Sequence, residues 1–250
     1  MKSCKLLLFL FLAILMAPSC SKVDTVQQDN GKSGSVTKFA VVGDYLYSLN
    51  SSNLDVYDIR VPAAPVKVNS IHVARVTETV FSYDSHLYIG APDGVYIVDI
   101  AVPERPVVRS SERHFFENGC DPVVVKDNIA YSTIRSGREC GKKLSLNELQ
   151  VIDVSNPNAP RTLARIGLHY PGGLGFDGNT LFIADGDAGI AVFDITNPGY
   201  PQRIGQVTGI DAFDLITDNG TLIVSAPTSF SFYDYSDRKN IVLKYQIKRS

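Results

Sequence analysis

A ten-residue motif, called here the repeated phrase, occurs four times in this chain, and it constrains the fold more than any other feature. Each copy has an aspartate, then Ile or Val, then prolines four and seven positions after the aspartate. The aspartates are 41 residues apart except for one gap of 54, and a degenerate fifth copy follows 40 residues after the last. A fixed period of this length indicates a repeat architecture, here with an insertion in the third unit. The copies are VYDIRVPAAP (56–65), IVDIAVPERP (97–106), VIDVSNPNAP (151–160), VFDITNPGYP (192–201) and FYDYSDRKNI (232–241).

Each unit contains four short runs rich in Val, Ile, Tyr and Phe, which favour β-strands. A turn of Asp, Asn or Gly separates the first two runs, as in a tight hairpin. Runs such as VYIV (95–98) are apolar on both faces, as expected of a sheet packed between two other sheets. No amphipathic pattern predicts a helix of about ten residues or more. The sequence therefore predicts an all-β fold, a β-propeller of about five four-stranded blades with a period of about 41 residues.

The repeated phrase itself is interpreted as structural. We expect the aspartate to end the third strand and to accept hydrogen bonds from the backbone of the following turn. The first proline is expected to stop the strand, and the second to precede the outermost strand, where a missing N–H is tolerated. A catalytic role would not require four copies.

The N-terminal residues predict where in the cell the protein is located. A basic start and a 12-residue apolar segment (6–17), too short to span a bilayer, precede Cys20. This pattern resembles a bacterial lipoprotein signal that is cleaved before Cys20, which then carries the lipid. Ala17 and Pro18 depart from the usual lipobox, and an ordinary secretory signal is the alternative. By the same resemblance, Ser21 indicates an outer membrane lipoprotein, with its periplasmic or cell-surface face left open.

The chain is thereby divided into three segments. Residues 1–19 are the predicted signal peptide, 20–35 the lipidated N-terminus and a polar tether, and 36–250 the propeller domain. The net charge of −2 gives no basic field for nucleic acid, so no nucleic-acid partner is predicted. Membrane contact is expected only through the lipid.

Two cysteines remain in the predicted domain. Cys120 lies at a junction between units, and Cys140 lies in the insertion of the same unit. In an oxidising compartment a Cys120–Cys140 disulfide is the expected state, with a metal pair or two free thiols as alternatives.

Several stretches resemble a known family. LQVIDVSNPNAP and IAVFDITNPGYP look like the LVIVD-repeat family, and NGCDPVVV, SGRECG and GLGFDGNTLFIADGDAG resemble its short secreted bacterial lipoprotein branch. The resemblance covers roughly 36–250 and implies propeller-type repeats and a surface location. It implies no settled biochemical activity.

Candidate ligand residues gather at one predicted rim, where the junctions between units and the loops after second strands emerge. Basic residues there could meet an anionic ligand, and the alternating acids of ADGDAG could bind calcium, although further oxygen ligands are missing. Solvated loops and a plain turn are the alternatives. The candidates are Arg135, Arg138, Tyr170, Asp185 and Asp187.

Three histidines occupy near-equivalent junctions in successive units: His72, His114 and His169. Together they could hold a transition metal. The alternative is that they are solvated residues on radiating blades, too far apart to share an ion, and no cofactor is predicted.

The resulting functional hypothesis is an envelope-anchored binding or scaffolding module, with a glycan or an envelope protein as its partner. Because GxSxG, HExxH and CxxC are absent from the sequence, no catalytic residue is predicted. The alternative is a glycan-directed hydrolase or lyase that uses Asp185, Asp187 or Asp211.

Overall fold

The computed structural model describes residues 36–113, 122–135 and 146–249, and within them the fold is all-β. Twenty strands form five four-stranded antiparallel sheets, each built from four strands consecutive in sequence. The sheets are numbered here as blades 1 to 5, and they confirm the predicted propeller. Blade 1 contains β1 (Phe39–Val42), β2 (Tyr45–Asn50), β3 (Asn53–Asp58) and β4 (Val66–His72). Blade 2 contains β5 (Thr79–Tyr83), β6 (His86–Ala91), β7 (Gly94–Asp99) and β8 (Val107–Arg113). Blade 3 contains β9 (Val123–Lys126), β10 (Ile129–Arg135), β11 (Asn147–Asp153) and β12 (Arg161–Gly167). Blade 4 contains β13 (Leu174–Asp177), β14 (Thr180–Ala184), β15 (Ile190–Asp194) and β16 (Gln202–Val207). Blade 5 contains β17 (Asp214–Asp218), β18 (Thr221–Ala226), β19 (Ser229–Asp234) and β20 (Val242–Lys248).

The predicted signal peptide and tether, residues 1–35, lie outside the described residues. Within the described ranges, no helix is long and apolar enough to cross a bilayer.

The first two strands of every blade are joined by the predicted tight turn. Asp, Asn and Gly adopt positive φ there more readily than other residues. This conformation matches the twist of the hairpin and sets its register. Each blade has a residue with positive φ in this turn; in order of the blades, with the φ angle in brackets, these include Gly43 (57°), Asp84 (50°), Asn128 (61°), Gly178 (53°) and Asn219 (46°).

The aspartate of every repeated phrase ends the third strand, as predicted. Its Oδ1 accepts a hydrogen bond of 2.7–3.0 Å from the backbone N–H two residues later. These hydrogen bonds favour the ionised form. The Ala101 N–H, together with Arg109, holds the pKa of Asp99 below its usual value. The acceptors are Asp58, Asp99, Asp153, Asp194 and Asp234.

The first proline has a different role from the one predicted. The strand has already ended at the aspartate, and the proline is the second residue of a β-turn. In blade 4, the turn is closed by the Tyr200 N–H, which donates to the Asn197 oxygen at 3.0 Å. The fixed φ of Pro198 suits this position. The second proline precedes the outermost strand, as predicted, with Pro201 directly before β16.

The same turn fastens each blade to the preceding one. The Tyr131 hydroxyl of blade 3 donates to the Pro198 carbonyl of blade 4 at 2.8 Å, and Tyr47 of blade 1 reaches Pro103 of blade 2 at 3.2 Å. Both tyrosines are fully buried. The repeated phrase therefore builds the contact between blades as well as the end of a strand.

Apolar clusters fill the four junctions between consecutive blades. Blades between two neighbours are buried on both faces, so that every residue of β10 and β14 is buried. Among residues 36–113, 122–135 and 146–249, no fifth cluster joins blade 5 to blade 1. One face of each of these two blades remains uncovered, and β18 accordingly alternates between buried and half-buried residues. The described part of the propeller is therefore an open arc.

Candidate binding site

A cavity of about 300 Å³ opens on the predicted rim, where blades 3, 4 and 5 meet. It is named here the rim pocket. Its walls come from loops after second strands and from junctions between blades, so side chains distant in sequence converge there. The lining residues are Arg135, Tyr170, Gly186, Asp211, Ala212, Phe213, Ser225, Ala226, Pro227 and Arg249.

Arg135 is the central polar group of the rim pocket. It ends β10 and is only 6% exposed. The guanidinium carbon lies 4.7 Å from the centre of the Tyr170 ring and 5.1 Å from that of Phe213. Rings at these distances attract the cation and restrict the motion of its plane. A charged side chain is rarely buried to this extent, and here it lines a cavity wide enough for a ligand.

A second guanidinium reinforces the positive character of the pocket. Arg249 lies over the Phe230 ring, 4.0 Å from its centre, and its Nη2 donates to Ser225 Oγ at 3.0 Å. Asp211 is the one carboxylate among the described lining residues. The pocket thus combines two cations, one anion and the ring surfaces of Tyr170 and Phe213.

Asp185, predicted as a ligand residue, positions the pocket wall instead of lining it. It is 1% exposed, and its Oδ1 accepts hydrogen bonds from the backbone N–H groups of His169 and Tyr170 at 2.8 and 2.9 Å. Gly186 beside it has φ +60°, and a Cβ there would lie 2.9 Å from Tyr170 Cβ. These contacts fix the place of the Tyr170 ring.

The other predicted site residues are not brought into the pocket. His169 Nε2 lies 2.8 Å from Asp187 Oδ1, and both side chains are mostly exposed. His72 ends β4 in blade 1 and is also exposed. Within the described ranges, no three His, Cys, Asp or Glu side chains are close enough to hold a metal ion. Cys20, His114, Cys120, Arg138 and Cys140 lie outside the described residues.

Asp214 is an acid with one enclosed carboxylate oxygen that the sequence did not single out. The residue is half-buried, but its Oδ1 is enclosed and has no hydrogen-bond partner in the described structure. Burial raises the pKa of Asp214 to about 6, although the Leu215 N–H opposes the shift. Because Asp214 directly follows Phe213, its environment is coupled to the pocket wall.

Two glycines of blade 4 allow this close approach to blade 5. A Cβ on Gly173 would lie 1.7 Å from Asp214 Oδ1, and one on Gly172 would lie 2.1 Å from the backbone oxygen of Phe213. The Gly173 N–H donates to that same oxygen at 3.0 Å. The pair therefore holds Phe213 in position beside Arg135.

The fold and the rim define a β-propeller, and solved structures show the same class. The chain is similar to the periplasmic gluconolactonase of Pseudomonas aeruginosa (14% identity, TM-score 0.65), covering 82% of this chain and 68% of that protein. It is also similar to the computationally designed protein Ika8 (16%, 0.61), covering 84% and 60%. For AztD of Citrobacter koseri (12%, 0.59) the coverage is 80% and 58%. The chain thus spans only 58–68% of the length of these proteins.

The repeats can be assigned more narrowly. Residues 145–165 and 174–209 match the LVIVD repeat model, which confirms the resemblance over parts of blades 3 and 4. No curated protein sequence matches the chain.

Proposed function

We propose that this protein is an envelope lipoprotein whose rim pocket binds a small anionic ligand that contains a ring. The observation that carries the proposal is the buried Arg135 guanidinium, which packs against two aromatic rings and lines an open cavity. A planar guanidinium in a fixed orientation pairs with a carboxylate or phosphate through two parallel hydrogen bonds.

The composition of the pocket narrows the ligand class. The guanidinium groups of Arg135 and Arg249 both line the pocket, which favours an anion over a cation. Tyr170 and Phe213 offer apolar ring surface next to these charges. A cavity of about 300 Å³ lies at the lower end for ligand pockets, which suits a single ring. A carboxylated monosaccharide has the negative charge, the apolar ring face and the single-ring size that these features favour.

The location in the cell envelope is proposed from the sequence alone. Cleavage before Cys20 and lipidation of that residue would anchor the propeller to the outer membrane. Mass spectrometry of the membrane-extracted protein should find an acylated N-terminal Cys20. An unmodified N-terminus beyond Cys20 would favour the secretory alternative and would not affect the pocket.

Binding is tested with D-glucuronate as the probe and D-glucose as its uncharged counterpart. We expect calorimetry on the full chain to detect glucuronate but not glucose. Losing a charged hydrogen-bond donor should weaken glucuronate binding about 10- to 100-fold in Arg135→Gln. Arg135→Lys should weaken it too, because the lysine retains the charge but not the planar fork.

The matched control is Arg203→Gln, which removes the same charge from the exposed outer strand β16. This control should bind glucuronate within about twofold of the unmodified protein, since Arg203 is not one of the lining residues. Equal losses in both variants would show that only net charge matters, and the pocket assignment would then be wrong.

Catalysis is the second candidate, favoured by the likeness to a gluconolactonase. Asp211 is the described acid placed to take part, because Asp185 is enclosed and Asp187 pairs with His169 outside the pocket. Hydrolysis of D-glucono-δ-lactone that falls in Asp211→Asn would support an enzyme. Hydrolysis that is no faster than in buffer alone would exclude the enzyme and leave the binding module as the proposed function.

A further inference from the structure

The two guanidinium groups of the rim pocket approach it from different sides. Arg135 comes from β10 of blade 3 and packs against Phe213, which directly precedes β17, the first strand of blade 5. Arg249 follows β20, the last strand of that blade, and lies over the Phe230 ring of β19. The two phenylalanines are therefore two strands apart, and neighbouring strands are spaced by about 4.8 Å.

The direction of Arg249 follows from the alternation of side chains along β18. Val224 packs into the cluster between blades 4 and 5, so the next residue, Ser225, points to the other side of the sheet. Phe230 is paired with Ser225 and points to that side as well. Arg249 contacts both residues, so it reaches the pocket from the side of blade 5 that faces away from blade 4.

Arg249 is held in place, and its charge is available to a ligand. Its backbone N–H donates to the Thr228 oxygen at 2.8 Å, and its Nη2 donates to Ser225 Oγ at 3.0 Å. Among residues 36–113, 122–135 and 146–249, no acid lies within ion-pair distance of Arg249. An oriented guanidinium that lines a cavity is suited to pair with a carboxylate or phosphate.

On the basis of the proposed function, we infer that the ligand of the rim pocket carries a second anionic group, which pairs with Arg249. A carboxylate that binds Arg135 through two parallel hydrogen bonds directs both of its oxygens to that residue. Arg249, on another side of the pocket, is then left for a different group. The ligand class is therefore a single sugar ring with two anionic groups, such as a phosphorylated uronate.

The test is calorimetry on the full chain with two probes, D-glucuronate and D-glucuronate 1-phosphate, which has a second anionic group on the same ring. The unmodified protein should bind the 1-phosphate about tenfold more tightly, the lower end for a charged hydrogen bond, because Arg249 is exposed. Arg249→Gln should lose this preference and still bind glucuronate within about twofold of the unmodified protein. Arg135→Gln should weaken the binding of both probes.

Lys248→Gln is the matched control, because it removes the same charge one residue away, from an exposed residue that does not line the pocket. It should keep the preference for the 1-phosphate. Since both side chains are exposed, both variants should fold, and circular-dichroism melts that match the unmodified protein would confirm this. A preference that is lost equally in the two variants would show that net charge alone selects the ligand, and the inference would be wrong.

The other outcomes separate this inference from the proposed function. Equal affinity of the unmodified protein for the two probes would overturn the second anion site and leave the proposed function standing. If Arg249→Gln lost as much affinity for glucuronate as for the 1-phosphate, the two guanidinium groups would share one anion, and the inference would be overturned as well. Binding of neither probe would remove the proposed function and this inference together.

Discussion

Asp214→Asn should make the protein more stable at neutral pH, and the gain should depend on pH. The folded state raises the pKa of Asp214 from 3.8 to about 6, because the ionised carboxylate is poorly solvated beside Gly173. Well below pH 4 the group is protonated in both states and carries no penalty. Between about pH 4 and pH 6 the unfolded chain ionises Asp214 while the folded protein keeps the proton, so stability falls, and above about pH 6 the loss is complete.

The size of the effect follows from the shift. About two pKa units at about 1.4 kcal/mol each give about 3 kcal/mol as an upper value. Asp214 is only half-buried, so screening by solvent lowers the expected effect to about 1–3 kcal/mol. Asparagine has the shape of the protonated acid and cannot ionise, so Asp214→Asn removes this part of the pH dependence.

The assay is urea denaturation of both proteins between pH 4 and pH 8. Tyrosine fluorescence and circular dichroism are the signals, because the chain has 12 Tyr and no Trp. The stability difference between variant and unmodified protein should increase by about 1–3 kcal/mol from pH 4 to pH 7. A constant offset from the substitution itself cancels in this comparison. A difference that stays flat with pH, or shrinks as the pH rises, would refute the reasoning.

Three further changes, Gly173→Ala, Tyr131→Phe and Asp153→Asn, test two junctions between blades and the end of a strand, and Gly167→Ala is a control. Gly173→Ala should cost about 2–4 kcal/mol, because its Cβ would lie 1.7 Å from Asp214 Oδ1. Gly167→Ala, with no atom within 4 Å of the new Cβ, should stay within about 0.5 kcal/mol in the same denaturation assay. Tyr131→Phe should cost about 1–3 kcal/mol, because it leaves the Pro198 carbonyl without its donor; a neutral result in thermal melts would mean that water replaces the hydroxyl. Asp153→Asn should lower stability above about pH 4 and less at lower pH, because hydrogen bonds from Ser155 and Arg161 hold the pKa of Asp153 below its usual value. The check is acid unfolding of Asp153→Asn and of the unmodified protein, followed by circular dichroism. Unfolding curves of the two proteins that stay parallel as the pH falls would contradict this prediction.

The architecture could be predicted because its determinants are local and repeated. Each Asp–Pro phrase ends a strand and starts a turn within ten residues, and five copies fixed both the period and the strand count. The role of the first proline was misjudged because the strand already ends at the aspartate, and in blade 4 the carbonyl of Pro198 bonds to a tyrosine of the preceding blade. No local pattern records that partner.

The candidate site was predictable only in part. The topology of the repeats placed Arg135 and Tyr170 on the rim where the cavity lies. Phe213, Arg249 and Asp214 were missed, because they reach the rim from blade 5 and have no repeated spacing of their own. Asp185 was assigned to a ligand because acids in a Gly-rich loop resemble binding loops. Its actual backbone partners, His169 and Tyr170, lie far from it in sequence.

The open arc has a consequence for how such a chain can change its length. In a closed ring, an added blade alters the angle at every junction and strains them all. In the arc, each blade packs only on its neighbours in sequence, so duplication of a 41-residue unit at blade 1 adds one junction and leaves the others as they were. Gene duplication can therefore extend one end of the scaffold while the rim pocket of blades 3 to 5 keeps its shape.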